Sequence, residues 1–277
     1  MLRQRLLSAA LLIPVVAALA WLGPWTFAAF LSLIAALGGW ELAGLLDRLG
    51  WSAPPFLPGA AVALFAASLA GWLGAVLIPL SLLGWVIPLI WLFRPRVPAA
   101  RSQGPMAWMV HALGATYLGL LLAFLARLEP GPWSAASAPA ASPGARWVFY
   151  ALLVIWSCDT GAYALGYLFG RRKLWPEVSP KKTWEGALGG LLAASAAGAL
   201  LAGPLAAPLH PAQGLALGGL AVVAGQLGDL VESRLKRKAA VKDSGRIVPG
   251  HGGMLDRLDS VLFAAPFFYY GLSGLAR

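Results

Sequence analysis

The chain has 277 residues, 59% of them hydrophobic and 12% charged, with a mean hydropathy of +0.73. Soluble domains average about 25% charged residues, so a water-soluble globule is excluded and a polytopic membrane protein remains. The net charge of +10 would suit a polyanionic partner, and the single cysteine, Cys158, excludes an internal disulfide framework.

Apolar runs close to the ~20 residues that span a bilayer fall at about 5–22, 25–46, 56–71, 74–93, 106–127, 147–169, 184–203, 212–231 and 258–275. The expected fold is all-α, an integral membrane bundle of about nine transmembrane helices. The third run is short, and Gly71-Trp72 divides it from the fourth. Arg3 and Arg5 precede the first run and Ala18-Leu19-Ala20 resembles a cleavage site. Only further apolar runs follow, so a signal anchor is expected there rather than a removed peptide.

Charge orients the bundle. With the N-terminus in the cytoplasm, 18 of the 21 Lys and Arg residues fall on the inner side, and only Arg127, Arg146 and Arg277 outside. That asymmetry obeys the positive-inside rule. Basicity therefore reports topology and phosphate binding, and no nucleic-acid-binding motif accompanies it. Residues 129–146 are rich in Pro, Ala and Ser and read as a mobile outer loop. Tryptophans near the run ends, such as Trp25 and Trp147, read as interfacial anchors. His111 reads as a hydrogen-bonded core residue and His210 as an outer-loop residue.

Asp159 lies inside the sixth run, with Tyr163 and Tyr167 following at helical spacing. A carboxylate at a helix centre costs ~2.5–3.5 kcal/mol on insertion scales, so it should face a polar cavity or a structural partner. The next inner loop carries Ser179-Pro180-Lys181-Lys182-Thr183-Trp184-Glu185-Gly186. Ser, Pro, Thr and Glu there are helix-start residues, which leaves Lys181 and Lys182 available for phosphate. Asp229 and Glu232 end the eighth run, where two negative charges oppose the helix dipole. A bound cation at Asp229 would offset this, and Lys236 at i+4 is the natural partner of Glu232.

The densest polar stretch runs from Ser233 to Ser260. It holds Lys236, Arg237, Lys242 and Asp243, then Gly250-His251-Gly252-Gly253, then Asp256-Arg257-Leu258-Asp259. Glycines let backbone N–H groups converge on an anion, and Lys and Arg supply charge-assisted donors to phosphate oxygens. Asp256 and Asp259, three apart, share a helix face and suit Mg²⁺. The basic run alone would also be met in any positive-inside loop.

The ordered series Ser233-x2-Lys236-Arg237-x4-Lys242-Asp243-x5-Pro249-x-His251-Gly252-Gly253-x2-Asp256-Arg257-x-Asp259 resembles the signature of the phosphatidate cytidylyltransferase (CDP-diacylglycerol synthase) family. Ser-Pro-Lys-Lys-Thr-x-Glu-Gly at 179–186 and the Asp159 neighbourhood resemble that family too. The resemblance covers the C-terminal part of the chain, while the N-terminal half matches in hydropathy alone. It implies N-terminal transmembrane helices over 1–104 and a transmembrane catalytic region over 105–277. The implied reaction is CTP plus phosphatidate giving CDP-diacylglycerol and pyrophosphate, in a multi-pass protein of the cytoplasmic membrane with its site on the cytoplasmic face.

By that resemblance Asp256, Asp259, Lys242 and Asp243 form the catalytic set. Lys181, Lys182, Ser233, Lys236, Arg237, His251, Gly252, Gly253, Arg257 and Asp159 would bind substrates. Asp229, Asp256 and Asp259 would hold Mg²⁺, with room for a second cation. CTP, phosphatidate from the inner leaflet and membrane lipids are the expected partners, and nucleic acid is not. Gly189, Gly190, Gly218 and Gly219 permit close helix packing, within one chain or in a homodimer. A CTP-dependent polyprenol kinase would have to activate a neutral alcohol. The Asp-rich motif of CDP-alcohol phosphatidyltransferases is absent. A transporter would explain Asp159 but not the series from Ser233 to Asp259.

The topology is tested by cysteine labelling in a Cys158→Ala background. Ser137→Cys and Ser244→Cys should react with an impermeant maleimide from opposite sides of the membrane, and same-side labelling would overturn the arrangement.

Overall fold

The computed structural model describes residues 13–71, 86–87, 90, 104–128, 145–206, 209–248, 250 and 252–275. Residues 13–21 are helical. They are followed by α1 (Pro24–Arg48), α2 (Leu57–Leu69), α3 (Pro105–Arg127), α4 (Ala145–Phe169), β1 (Lys173–Trp175), β2 (Ser179–Thr183), α5 (Trp184–Ala206), α6 (Pro211–Lys238) and α7 (Leu255–Leu275). Proline stands at the first or second position of α1, α2, α3 and α6, where its fixed φ fits the first turn and its missing N–H is not needed.

Five of these helices, α1, α3, α4, α5 and α6, are long and apolar enough to cross a membrane. The 13 residues of α2 rise only ~20 Å, short of the ~30 Å hydrocarbon core. Gly71, with φ 77°, ends this segment in the left-handed region where glycine meets no penalty. The helix of the third run thus ends just before the expected Gly71. Most of the apolar run expected at 74–93 lies outside the described residues, as does most of the 129–146 loop. The count of about nine spans is thus not reached among the described residues.

Helices α1, α2 and α3 pack on one another, and α4, α5 and α6 pack in sequence. Helix α7 lies against both α6 and α3 and joins the two groups. The helices approach through glycines. A Cβ at Gly198 would meet the Gly214 backbone, and the reverse is also true, while the buried Tyr150 hydroxyl lies 3.2 Å from both the Gly198 and Gly214 carbonyl oxygens. Gly189 fits against Gly161 and Leu165, Gly190 against Cys158 and Gln226, and Gly218 against Ala194. These small residues serve packing within the chain.

Two expectations are corrected. The segment at 170–183, expected as a loop, holds a two-stranded antiparallel hairpin, with Lys173 opposite Thr183 and Trp175 opposite Ser179, within a fold that is otherwise helical as expected. The basic run from Ser233 to Lys238 is helical, forming the last turns of α6. At 28 residues α6 rises ~42 Å, so its C-terminal turns reach beyond the hydrocarbon and carry their charges into the interface. His111 is buried, with Nδ1 3.0 Å from the Ala107 carbonyl oxygen, as expected of a core histidine.

Forcing a side chain into the α5–α6 crossing should overpack it. Gly198→Val and Gly214→Val should each lose about 1–3 kcal/mol of stability. Gly203→Ala, whose Cβ meets open space, should lose none. Thermal unfolding in detergent reads the difference.

Candidate active site

The site is built where the end of α6 meets the start of α7. Glu232, Ser233 and Lys236 occupy the last turns of α6; Asp256 and Asp259 occupy the first turns of α7. The Lys236 ammonium is buried and bridges the helices, bonding the Glu232 carboxylate at 2.9 Å and the Asp256 carboxylate. The expected Glu232–Lys236 pair is therefore present. Lys236 is committed to two carboxylates rather than turned to a substrate. The crossing itself is tight, because a Cβ at Gly228 would meet the Asp259 carbonyl and Phe263, and one at Gly225 would approach Ser260. Those glycines bring the Asp229 turn of α6 beside the Asp259 turn of α7.

Asp256 is the most heavily bonded carboxylate of the site. Besides Lys236, its Oδ2 accepts from the Ser244 N–H at 2.9 Å, the Ser244 hydroxyl at 3.0 Å and the Gly253 N–H at 2.8 Å. Gly252 has φ 85°, and a Cβ there would meet Asp256 Oδ2. The glycine turn thus spends a backbone donor on the protein's own carboxylate, where an incoming phosphate had been expected. His251 lies outside the described residues.

The hairpin supplies the opposite wall. Lys182 on β2 pairs with Asp229 Oδ2 at 2.5 Å, and Ser233 Oγ donates to Asp229 Oδ1 at 3.1 Å. Thr183 Oγ1 accepts the Gly186 N–H at 3.1 Å and so caps α5, while Glu185 accepts the Arg172 N–H at 3.2 and 3.3 Å. Both are the helix-start roles read from the sequence. Arg237 donates to the carbonyl oxygens of Val178 at 3.3 Å and Val241 at 3.4 Å, and Arg234 stacks over Trp175 at 5.2 Å. These two arginines clamp the hairpin to α6.

A cavity of about 410 Å³ opens between the hairpin, α4, α5 and α6. Asp159, Lys181, Lys182 and Asp229 line it, as do Tyr163 and Tyr167, whose rings stack 6.1 Å apart. A second chamber of about 290 Å³ is lined by Asp159, Asp256, Arg257 and Asp259. Asp159 borders both. A third cavity of about 720 Å³ lies between the end of α1 and the loop after α6, and Lys242, Asp243, Arg48 and Arg246 line it. Fourteen of the fifteen expected site residues are therefore placed around one junction, though in separate cavities.

Sequence reasoning missed Glu41. Its carboxylate, buried in α1, accepts the backbone N–H groups of Met254 at 2.9 Å and Leu255 at 2.8 Å, and the Ser244 hydroxyl at 2.9 Å. A carboxylate inside the second apolar run was the available signal, by the same cost argument applied to Asp159.

The metal expectation needs testing against this geometry. No group of three or more His, Cys, Asp or Glu side chains arranged to hold a metal occurs among the described residues. Asp229, Asp256 and Asp259 do not converge as one ligand set, because Asp256 is turned to Lys236, Ser244 and Gly253. Mg²⁺ needs no such cage, since it keeps several waters and takes one or two carboxylates plus substrate phosphates. Asp229 lines the first cavity, Asp259 the second chamber and Asp159 both, and one or two carboxylates per cavity fit a hard cation that completes its shell with water and phosphate oxygens.

Residues 3–274 match the model of the cytidylyltransferase family. The chain belongs to that family. Among curated relatives, a phosphatidate cytidylyltransferase from Bacillus subtilis (strain 168) is 51% identical over 130 residues, 47% of this chain and 48% of that protein. Those from Staphylococcus saprophyticus and Staphylococcus aureus (strain COL) are 48% and 47% identical over 131 residues, each 45% of this chain and 48% of the relative. The chain spans about half the length of the curated relatives it matches. Membership of the cytidylyltransferase family over almost the whole chain places α1, and with it Glu41, inside the family's domain.

The α6–α7 bridge makes a stability prediction. Removing one partner of a buried pair leaves charge uncompensated and costs about 3–5 kcal/mol. Lys236→Met should lose that much, whereas Lys182→Met, at a pair with side chains 28% and 29% exposed, should lose much less. Denaturation in detergent, followed by tryptophan fluorescence, compares them.

Proposed function

We propose that this chain is a phosphatidate cytidylyltransferase, joining CTP and phosphatidate into CDP-diacylglycerol with release of pyrophosphate at the cytoplasmic face of the cell membrane. The observation that carries the reading is the Lys182–Asp229 pair at the head of the cavity between the hairpin and α4, α5 and α6. It joins an anion-binding wall to a cation-binding one, in a chain whose relatives bear that enzyme name.

The chemistry asks for charge neutralisation more than for proton transfer. A phosphate-monoester oxygen of the lipid attacks the α-phosphorus of CTP, and the bond to the β-phosphate oxygen breaks. With a second pKa near ~6 the nucleophile is already ionised, so no general base is required. Lys181 and Lys182 bind the triphosphate and hold pyrophosphate as it leaves. Asp229 and Asp259 would hold Mg²⁺, with Asp159 close enough to contribute to a second cation. Bound there, the metal would neutralise phosphate charge and support the leaving group. Asp256 positions Ser244, Gly253 and Lys236, while Arg257 adds positive charge to the chamber that Asp159 and Asp259 line. Lys242 and Asp243, with Arg48 and Arg246, face the polar cavity from which nucleotide enters. The apolar length of the first cavity suits lipid sliding in from the inner leaflet.

Purified protein given labelled CTP and either phosphatidate or an isoprenoid alcohol tests the assignment. Product should form with phosphatidate alone, and transfer to the alcohol would overturn it. Asp229→Asn and Asp259→Asn should fold yet lose at least about a hundredfold in turnover, since a metal clamp contributes several kcal/mol to the transition state. Asp229→Asn should recover partly with raised Mg²⁺ or with Mn²⁺. Lys182→Ala should mainly raise the KM for CTP, by roughly ten- to hundredfold for a lost charge-assisted contact.

A further inference from the structure

We propose that Glu41 is a positioning residue for the active site, an internal anion that occupies the N-terminus of α7 and so fixes the loop from Val241 to Gly253 against α1. Its role for turnover rests on the cytidylyltransferase reading; its structural part does not.

A helix N-terminus leaves backbone N–H groups without partners and attracts an anion. Here that anion comes from the chain itself. Glu41 stands 213 residues before Met254 in sequence, yet its two carboxylate oxygens take the Met254 and Leu255 N–H groups and the Ser244 hydroxyl. The neighbouring glycines are shaped to it. A Cβ at Gly245 would strike the Glu41 carboxylate, and one at Gly253 would strike both it and Ser244. Glu41 is 6% exposed, so the carboxylate has given up most of its hydration for these bonds.

The consequence reaches the reacting groups through Ser244. Its hydroxyl lies 2.9 Å from Glu41 Oε2 and 3.0 Å from Asp256 Oδ2, and its N–H donates to the same Asp256 oxygen. Asp256 in turn holds Lys236 and the Gly253 N–H. Glu41 therefore sets where α7 begins, and with it the direction in which Asp259, one turn further on, faces the chambers. A phosphate cannot take the donors Glu41 already holds, so substrate phosphate must bind elsewhere in the site. Glu41 also borders the polar cavity, but its carboxylate is committed to the Ser244 hydroxyl and two backbone N–H groups, so it should influence turnover without being a substrate contact.

Two readouts separate this role from a general loss of stability. Glu41→Gln replaces one acceptor oxygen by an NH₂ group that faces donors. It should lower kcat at least tenfold while the KM for CTP changes less than threefold, and Glu41→Asp should recover part of the loss by restoring the charge. Independently of activity, Arg246→Cys in a Cys158→Ala background reports loop release in membrane vesicles, because Arg246 is exposed on that loop. Its reaction with an impermeant maleimide should quicken at least fivefold in the Glu41→Gln protein. An unchanged labelling rate would overturn the positioning role whatever the enzyme's substrate proves to be. Released loop labelling with wild-type kcat would leave Glu41 a structural cap and overturn its place in turnover. If Glu41→Gln fails to insert, Glu41→Asp decides by the same labelling: intermediate release is expected, and none would overturn the proposal.

Discussion

A single buried ammonium holds the two charged helix ends together. Lys236 lies between Glu232 and Asp256 where neither carboxylate has water to solvate it, so removing any member strands a charge in a low-dielectric setting. The bridge decides how far α6 and α7 can separate, and hence how far Asp229 stands from Asp259. Glycines at 225 and 228 allow the approach, and the ion bridge fixes it. Asp229, Asp256 and Asp259 are carried by the two helices that this junction joins.

The polar stretch between α6 and α7 divides its donors between internal and external anions. Glu41 and Asp256 absorb the N–H groups of the glycine turn, Ser244 and the start of α7. Arg237 is spent on backbone carbonyls, and Arg234 on Trp175. Among the described residues, Lys181 and Lys182 on the hairpin, Lys242, Arg246 and Arg48 around the polar cavity, and Arg257 at the second chamber are the cations that line these three cavities. A signature dense in charge is thus partly scaffold. The scaffold holds a smaller set of charges rigidly in place, the preorganisation on which electrostatic stabilisation of a transition state depends.

The small sheet follows the same logic. A free loop carrying Lys181 and Lys182 would lose rotamer and backbone entropy on being fixed in any one geometry. Pairing Lys173 with Thr183, capping α5 with Thr183 and clamping the turn with Arg237 removes much of that freedom beforehand. Lys182 is then delivered to Asp229 at the cavity head.

Sequence alone determined the class of molecule, because burial in lipid demands long apolar runs. It also determined the helix-start role of Thr183 and the Glu232–Lys236 pair. Each of these is decided within a few residues along the chain. The tertiary structure decided which donors face which acceptors. Glu41 could not be assigned to Met254 from a sequence that sets them 213 positions apart, since that pairing depends on how α1 crosses α7. The commitment of Asp256 to Lys236 and Ser244, away from a shared metal set with Asp229, was likewise invisible. So was the hairpin, because three- and five-residue strands leave no periodicity to read. Local hydrogen bonds and hydropathy are written in order along a chain, whereas a buried charge finds its partner only once the helices that carry both have packed.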